Sequence, residues 1–357
     1  MERRNDPLHG AAHVLPLPGS TYPTLACRGV NYDVGTRIGS RLSRRAWDPA
    51  AVRQDMWVIR RRLHCDSIMI YGTDLDRLFE GATIALQAGL HVWLQPRFHD
   101  ADPARTLEHL AQTARGADGL REEHSAVYLC LGSALSVHAS GIVSGDDMAQ
   151  RLARVQDPGS DTERSAANER LNRLLAKALS VARSDFYGKV TYAAGLWEDV
   201  DWRGFDIIGL NYYRPGAQPA GMGRDLESWQ RQDLPVVITE FGCPSYAGAQ
   251  EHAGEMEESA VDRSRPTPQL RGEYTRDEQV QAEYVAQMLE QFRTTRLAGA
   301  FVFEFDAPSH PYSPDPRFDL DMVSHALVRT PAAPARGGPR WEPKAAFEEV
   351  ARIYADA

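Results

Sequence analysis

Eight short apolar runs separated by helical segments predict a closed (β/α)8 TIM barrel built as a single domain. Strands and helices alternate from residue 26 to the C-terminal end, which is the signature of a parallel sheet covered by helices. No Gly-rich dinucleotide fingerprint follows the first run, so a doubly wound open sheet is disfavoured. Size agrees: 357 residues with 43% hydrophobic content can fill one large core, and α/β barrels often exceed the ordinary domain length.

Residues 1–24, rich in Pro, Gly and His, are expected to form a flexible N-terminal arm, with 25–357 as the barrel. The first strand is expected at 26–32 and a helix at 49–63. A strand at 67–71 precedes a helix at 74–88, capped by Thr73 or Asp74. The third strand is 91–95, followed by a helix from 103 to 114, and the fourth strand is 127–131. The polar stretch 145–183 carries one or two helices, the clearer at 168–183. The fifth strand is 190–194, a short acidic connection spans 197–203, and the sixth strand is 207–211. A minimal helix at 226–231, a seventh strand at 236–239, a helix at 275–292, an eighth strand at 300–305 and a closing helix at 344–354 complete the order. Two stretches break the rhythm. The insertion 244–273 follows the seventh strand directly, and its length suggests a lid or substrate wall; 309–340 wraps back with many prolines.

Composition removes several function classes. The net charge is -9 with no basic block, so nucleic acid is not expected as a partner. No segment reaches the ~18 apolar residues of a membrane span, and the N-terminus carries no apolar leader, so the chain is expected to be cytoplasmic. The four cysteines, Cys27, Cys65, Cys130 and Cys243, lack C-x-x-C spacing and read as buried thiols, with Cys243 near enough to Glu240 to line a pocket. No histidine pair has metal-ligand spacing, His310 reads as solvated, and no Ser stands in a G-x-S-x-G elbow. Neither a metal nor a cofactor is expected. The polar stretches 145–170 and 249–265 read as solvated loop faces.

The chemistry-bearing residues gather at strand ends, where barrel folds place their sites. Glu240 closes the apolar run 234–238, and a charge at the mouth of a buried strand is costly unless paired or used. A structural carboxylate paired with an Arg is the plainer reading of it. Glycoside hydrolysis by two carboxylates needs an acid opposite a nucleophile, yet the matching strand mouth reads Leu131-Gly132-Ser133-Ala134-Leu135. Asn31, Tyr32 and Asp33 end the first strand, Tyr71 the second, and Trp93, Gln95 and Arg97 the third. Asn211, Tyr212 and Tyr213 end the sixth, where a phenol could donate to Glu240. Trp197, Glu198, Asp199, Phe303, Glu304 and Asp306 add aromatic faces and polar groups of the kind a sugar site uses. Strand alternation sends only some of these inward. Glu198, Asp199 and Glu304 are substitute acids if position 134 supplies none, and Glu304 could instead pair with Arg28.

Three segments carry a family resemblance: Arg28-Gly-Val-Asn-Tyr-Asp-Val-Gly, Gly209-Leu-Asn-Tyr-Tyr and Ile238-Thr-Glu-Phe-Gly-Cys. They resemble the clan A glycoside hydrolases, and within that clan a group of bacterial hydrolase-like proteins often labelled abortive infection proteins. The resemblance implies a (β/α)8 barrel with a nucleophile Glu after strand seven, matched by Glu240, and an acid/base Glu after strand four, commonly preceded by Asn. Ser133-Ala134 occupies those two places. Met69 stands where many clan members carry a basic residue near the nucleophile. The implied activity is retaining hydrolysis of a soluble glycoside or glycosylated metabolite. For Ala134, replacement of a native Glu, use of another acid, and loss of catalysis all stay open. A sugar-binding or regulatory relative and a biosynthetic transglycosylase or cyclase are the alternatives.

Overall fold

The computed structural model describes residues 25–157, 161–214, 226–229, 233–254, 257–295, 297–332 and 340–356; the expected N-terminal arm lies outside them. Eight parallel strands close into one barrel: β1 (Cys27–Gly35), β2 (Ser67–Gly72), β3 (His91–Pro96), β4 (Val127–Ser133), β5 (Lys189–Gly195), β6 (Ile208–Asn211), β7 (Val236–Phe241) and β8 (Gly299–Val302). Each pairs with its sequence neighbours, and β8 returns to β1 through Cys27–Gly299 and Val30–Val302. Around them run α1 (Pro49–Arg61), α2 (Leu75–Gln87), α3 (Pro103–Glu123), the single turn α4 (Leu135–His138), α5 (Met148–Gln156), α6 (Asp161–Asp185), α7 (Glu278–Thr294) and α8 (Ala345–Ala355).

The helices begin where short acidic side chains can satisfy orphan N–H groups. Asp48, Asp74, Asp102, Asp147 and Asp277 each accept from a backbone N–H of the first turn, a cap worth about 1 kcal/mol. Pro49 and Pro103 occupy the first turn of α1 and α3, where no N–H is needed.

Alternation divides every strand into two faces. Outward residues such as Val30, Ile68, Ile70, Val92, Leu94 and Leu129 join the core beneath the helices. Inward residues Cys27, Met69, Trp93, Tyr128, Val237 and Phe301 fill the barrel. There Trp93 stacks on Tyr128 with centroids 4.6 Å apart and meets Phe301 edge-on at 5.1 Å. Gly29 makes room: a Cβ there would stand 2.2 Å from the Phe301 ring. This aromatic plug closes the barrel below the mouth and leaves the strand ends above it for polar groups.

Several expected features take a different form. β1 runs three residues past 32, α3 nine past 114, and β8 stops at Val302 instead of 305. The described residues of 145–170 are exposed or half-buried, most of them carried on α5 and α6, except Arg151 of α5, which is fully buried and donates to the Val137 carbonyl at 2.6 Å, with Asp100 as its ionic partner. Among its described residues the insertion 244–273 is packed in part. Its ribbon, Val261–Asp262 against Gln269–Leu270, buries Val261 and Leu270 with Leu320, Met322 and Val323 from the Pro-rich stretch. Arg276 bridges to Asp319 at 2.7 Å and Asp321 at 2.9 Å, tying the two irregular stretches together. His310, expected in solvent, is 3% exposed between Ser309 and Arg263. All four cysteines are free and buried. No helix among the described residues is long and apolar enough to cross a membrane.

Candidate active site

At the mouth, register irregularities re-aim side chains. β7 shifts by one residue against β6 between Leu210 and Asn211, and against β8 between Ala300 and Val302. An extra residue in one strand breaks its alternation, so Thr239 and Glu240 both make contacts inside the mouth, while Phe241 packs outward on Phe292 of α7. β4 shifts against β5 between Cys130 and Ser133. Gly132, at φ 148°, makes that shift without Cβ strain.

Glu240 is the centre of the resulting network. Its Oε1 receives Arg97 Nη2 and, at 3.0 Å, the Ser133 hydroxyl, while Tyr213 Oη lies 3.3 Å from Oε2. Asn211 Nδ2 donates to Ser133 Oγ at 2.9 Å, and Thr239 Oγ1 donates to Asn211 Oδ1 at 2.9 Å. Asn31 Nδ2 donates to the Thr239 carbonyl at 3.0 Å. Residues of β1, β4, β6 and β7 and the β3 and β6 ends thus fix one carboxylate in position.

Arg97 is the ionic partner that Met69 does not supply. Its Nε donates to Gln95 Oε1 at 2.6 Å, and its guanidinium lies 3.8 Å from the Tyr71 ring centroid and 5.5 Å from that of Phe303. Burial alone would push this guanidinium down, but the opposing charges, Glu240 first, leave it raised. Tyr71 and Phe303 stack at 5.8 Å, and Tyr71 Oη donates to Glu304 Oε2. A second buried carboxylate is therefore linked to Glu240 through Tyr71 and Arg97. Burial, then the Glu304 charge, raises the Tyr71 phenol well above its ordinary value.

The expected site residues separate by strand parity. Asn31, Tyr71, Gln95, Arg97, Asn211, Tyr213, Phe303 and Glu304 join the network around Glu240. Tyr32 and Tyr212 do not: Tyr32 donates to Asp55 of α1 at 2.9 Å, and Tyr212 packs edge-on against Phe292 of α7. Trp93 sits in the aromatic plug below. Asp33 accepts from the Gly35 N–H at 2.9 Å and the Thr36 hydroxyl at 3.0 Å, bracing the end of β1. Glu198 accepts from the Ser136 N–H, Tyr192 Oη and the Gly195 N–H at 2.9 to 3.0 Å. It ties the β5 end to α4, and burial raises its carboxyl against those hydrogen bonds. Trp197, 38% exposed, is pinned by its Nε1 on Ser136 Oγ at 3.0 Å. Arg28 pairs with Asp66 at 2.9 Å, not with Glu304. Cys243 is buried, and its carbonyl accepts from Gln281.

Ala134 follows Ser133 in left-handed backbone, φ 39° and ψ 52°, 4% exposed, its N–H on the Ala193 carbonyl at 2.8 Å. A methyl group there donates and accepts nothing. Two features were absent from the sequence reading. One is the donor role of Ser133, for which its place before 134 was the available signal. The other is a stack of His99 on His138, centroids 4.4 Å apart, with His138 Nδ1 2.7 Å from the Ser133 carbonyl. Among the described residues no group of three or more His, Cys, Asp or Glu could hold a metal.

The fold is that of (β/α)8 glycoside hydrolases. A GH113 β-1,4-mannanase superposes with a TM-score of 0.57 at 15% identity, over 93% of this chain and 99% of its own. The GH113 β-mannanase of Alicyclobacillus acidocaldarius, in complex with ManMIm, gives 0.57 at 14% identity, over 92% and 97%. A family 5 glycoside hydrolase from Prevotella bryantii B14 gives 0.53 at 12%, over 93% and 96%. At such identities the likeness is one of fold. No family model and no curated protein matches the sequence, and the narrower abortive-infection label finds no support.

Proposed function

We propose that this chain is a glycosidase-like enzyme for a soluble glycoside or glycosylated metabolite, with Glu240 as nucleophile of a retaining mechanism and Ala134 in the acid/base position. The observation that carries this reading is the hydrogen bond from Ser133 to Glu240, which joins the mouths of β4 and β7 at the residue before Ala134. In the retaining route the nucleophile attacks the anomeric carbon and displaces the aglycone, and water then releases the sugar. A carboxylic acid at 134 would protonate the leaving oxygen and later deprotonate that water, with the two carboxyl groups ~5 to 5.5 Å apart. Alanine does neither, and a missing general acid typically costs about 10²- to 10⁴-fold.

The other reading, a sugar-binding relative without turnover, draws on the neutralisation of Glu240 by buried Arg97. One experiment separates the two. Ala134→Glu should gain turnover on unactivated glycosides, and azide should accelerate the unaltered chain on dinitrophenyl glycosides, giving a glycosyl azide of the substrate's own anomeric configuration. Ala134 is already in left-handed backbone, so Glu there adds no new Cβ strain. If neither gain occurs on any glycoside, position 134 is not the acid/base station.

A further inference from the structure

Both donors on Glu240 Oε1 come from adjacent strand ends, Arg97 just past β3 and Ser133 at the end of β4. The β3–β4 ladder stops short of both, at Leu94 and Leu129. A pair of histidines stands beyond it. His99 lies two residues past Arg97, His138 closes α4, and their rings stack with centroids 4.4 Å apart and planes 13° from parallel. With Arg97 and Ser133 they line a cavity of only about 10 Å³, room for at most one water molecule, so these rings act on the protein and not on a ligand.

The Ser133–Ala134 peptide is pinned at both edges. Its N–H donates to the Ala193 carbonyl of β5 at 2.8 Å, and on the opposite edge the Ser133 carbonyl lies 2.7 Å from His138 Nδ1. A trans peptide points its two polar groups in opposite directions, so the imidazole takes the place of a β3 residue as partner of that carbonyl. A carbonyl only accepts, which puts the proton on Nδ1. Burial first, then His99 and Arg97, holds the ring neutral, and Nε2 is therefore the bare nitrogen. Backbone contacts place His138: its N–H donates to the Ala134 carbonyl at 3.0 Å, and its carbonyl accepts from the Asp100 N–H at 2.8 Å. His99 adds the stack. Neither of its shielded nitrogens has a hydrogen-bond partner among the described residues, so its hold on His138 is one of packing.

That one peptide governs two side chains. It carries the Ser133 hydroxyl that reaches Glu240, and it aims whatever stands at position 134. Ala134 sits at φ 39°, backbone that a residue with a Cβ keeps only where its surroundings hold it. We infer that His138 is a positioning residue, its Nδ1–H fixing the Ser133–Ala134 peptide and through it Glu240 and position 134, with His99 as its brace. That this positioning serves catalysis rests on the glycosidase reading; the fixing of Ser133 and Glu240 does not.

The first test is nitrogen-15 NMR of the histidine-labelled full chain at neutral pH, with His138→Asn to assign the resonance. His138 should show a protonated Nδ1, and a bare Nδ1 would overturn the inference. The second is urea unfolding of His138→Leu, Glu240→Gln and the double variant, with His138→Gln as the milder loss if leucine unfolds the chain. Residues with no contact and no shared partner have additive effects, whereas a path through Ser133 should leave the double variant's folding constant about threefold or more above the additive expectation. Additive losses would overturn the inference. In the Ala134→Glu chain, His138→Leu should lower kcat by about tenfold or more with little change in KM, and His138→Asn, which keeps a donor near Nδ1, should retain most of the rate. A rise in KM with kcat unchanged would overturn the positioning role. If the Ala134→Glu chain turns over no glycoside, the glycosidase reading fails, and the resonance and the unfolding cycle still decide whether His138 fixes Ser133 and Glu240.

Discussion

Arg97 and Glu240 form an ion pair across the barrel mouth in which each side chain is only 8% exposed. The pair joins the ends of β3 and β7, and it replaces the charge that Met69 withholds. Removing one partner of a buried pair leaves the other uncompensated, at a cost of about 3–5 kcal/mol. Arg97→Ala should lower the urea-derived unfolding free energy by about that amount, and adding Glu240→Gln should restore part of it. If the double variant loses the sum of the single losses, the two residues are not coupled.

Ser133 donates to the same oxygen of Glu240 as Arg97 and accepts from Asn211. Ser133→Ala removes a buried donor and leaves Asn211 Nδ2 without its acceptor, which costs about 1–3 kcal/mol. In a chain that also carries Ala134→Glu, kcat should fall more than KM rises, because the loss concerns the orientation of Glu240, the proposed nucleophile. A change confined to KM would place Ser133 in substrate binding instead.

The stacked histidines make stability depend on acid. Burial first, then the charges of Arg97 and Arg151, lowers His99 from 6.5 to about 3. Its neutral ring is the folded form, whereas the unfolded chain takes up a proton below 6.5. The contribution to stability is therefore full above 6.5 and lost as pH falls from there towards 3, at up to about 1.4 kcal/mol per pH unit for one proton. His138 is pushed the same way, by burial and then by His99. Urea titrations between about pH 7 and about pH 4 should show a steep acid limb that His99→Leu flattens; an unchanged slope would mean that His99 titrates normally.

The insertion after β7 behaves as structure as much as a wall. Leu270 is 5% exposed and packs with Val261, Leu320 and Met322, so Leu270→Ala should cost about 2–5 kcal/mol. A thermal scan showing no shift would favour a mobile lid over a packed element.

Parallel strands buried on both faces read as apolar runs, which is why all eight could be located in the sequence, and Asp74 could be named with Thr73 as a cap of α2. Parity at the strand ends was harder. Tyr32 and Tyr212 each sit one residue from an inward neighbour, Asn31 and Tyr213, and a single step in register decides which side chain enters the mouth. The irregularity in β7 that re-aims Glu240 leaves no compositional trace. Nor does the pairing of Glu240 with Arg97, 143 residues away, because no local period encodes a contact of that separation. Arg151 and His310 read as solvated for the same reason: their partners lie on other elements.

The central claim is that Glu240 is the nucleophile, and covalent trapping tests it most directly. The Ala134→Glu chain should be incubated with a panel of 2,4-dinitrophenyl 2-deoxy-2-fluoroglycosides and measured by intact-mass and peptide mass spectrometry. One glycosyl residue should attach to the peptide carrying Glu240, with loss of whatever turnover that chain shows, and Glu240→Gln should remove both label and turnover. Turnover that survives Glu240→Gln, or a label on any other residue, would contradict the account.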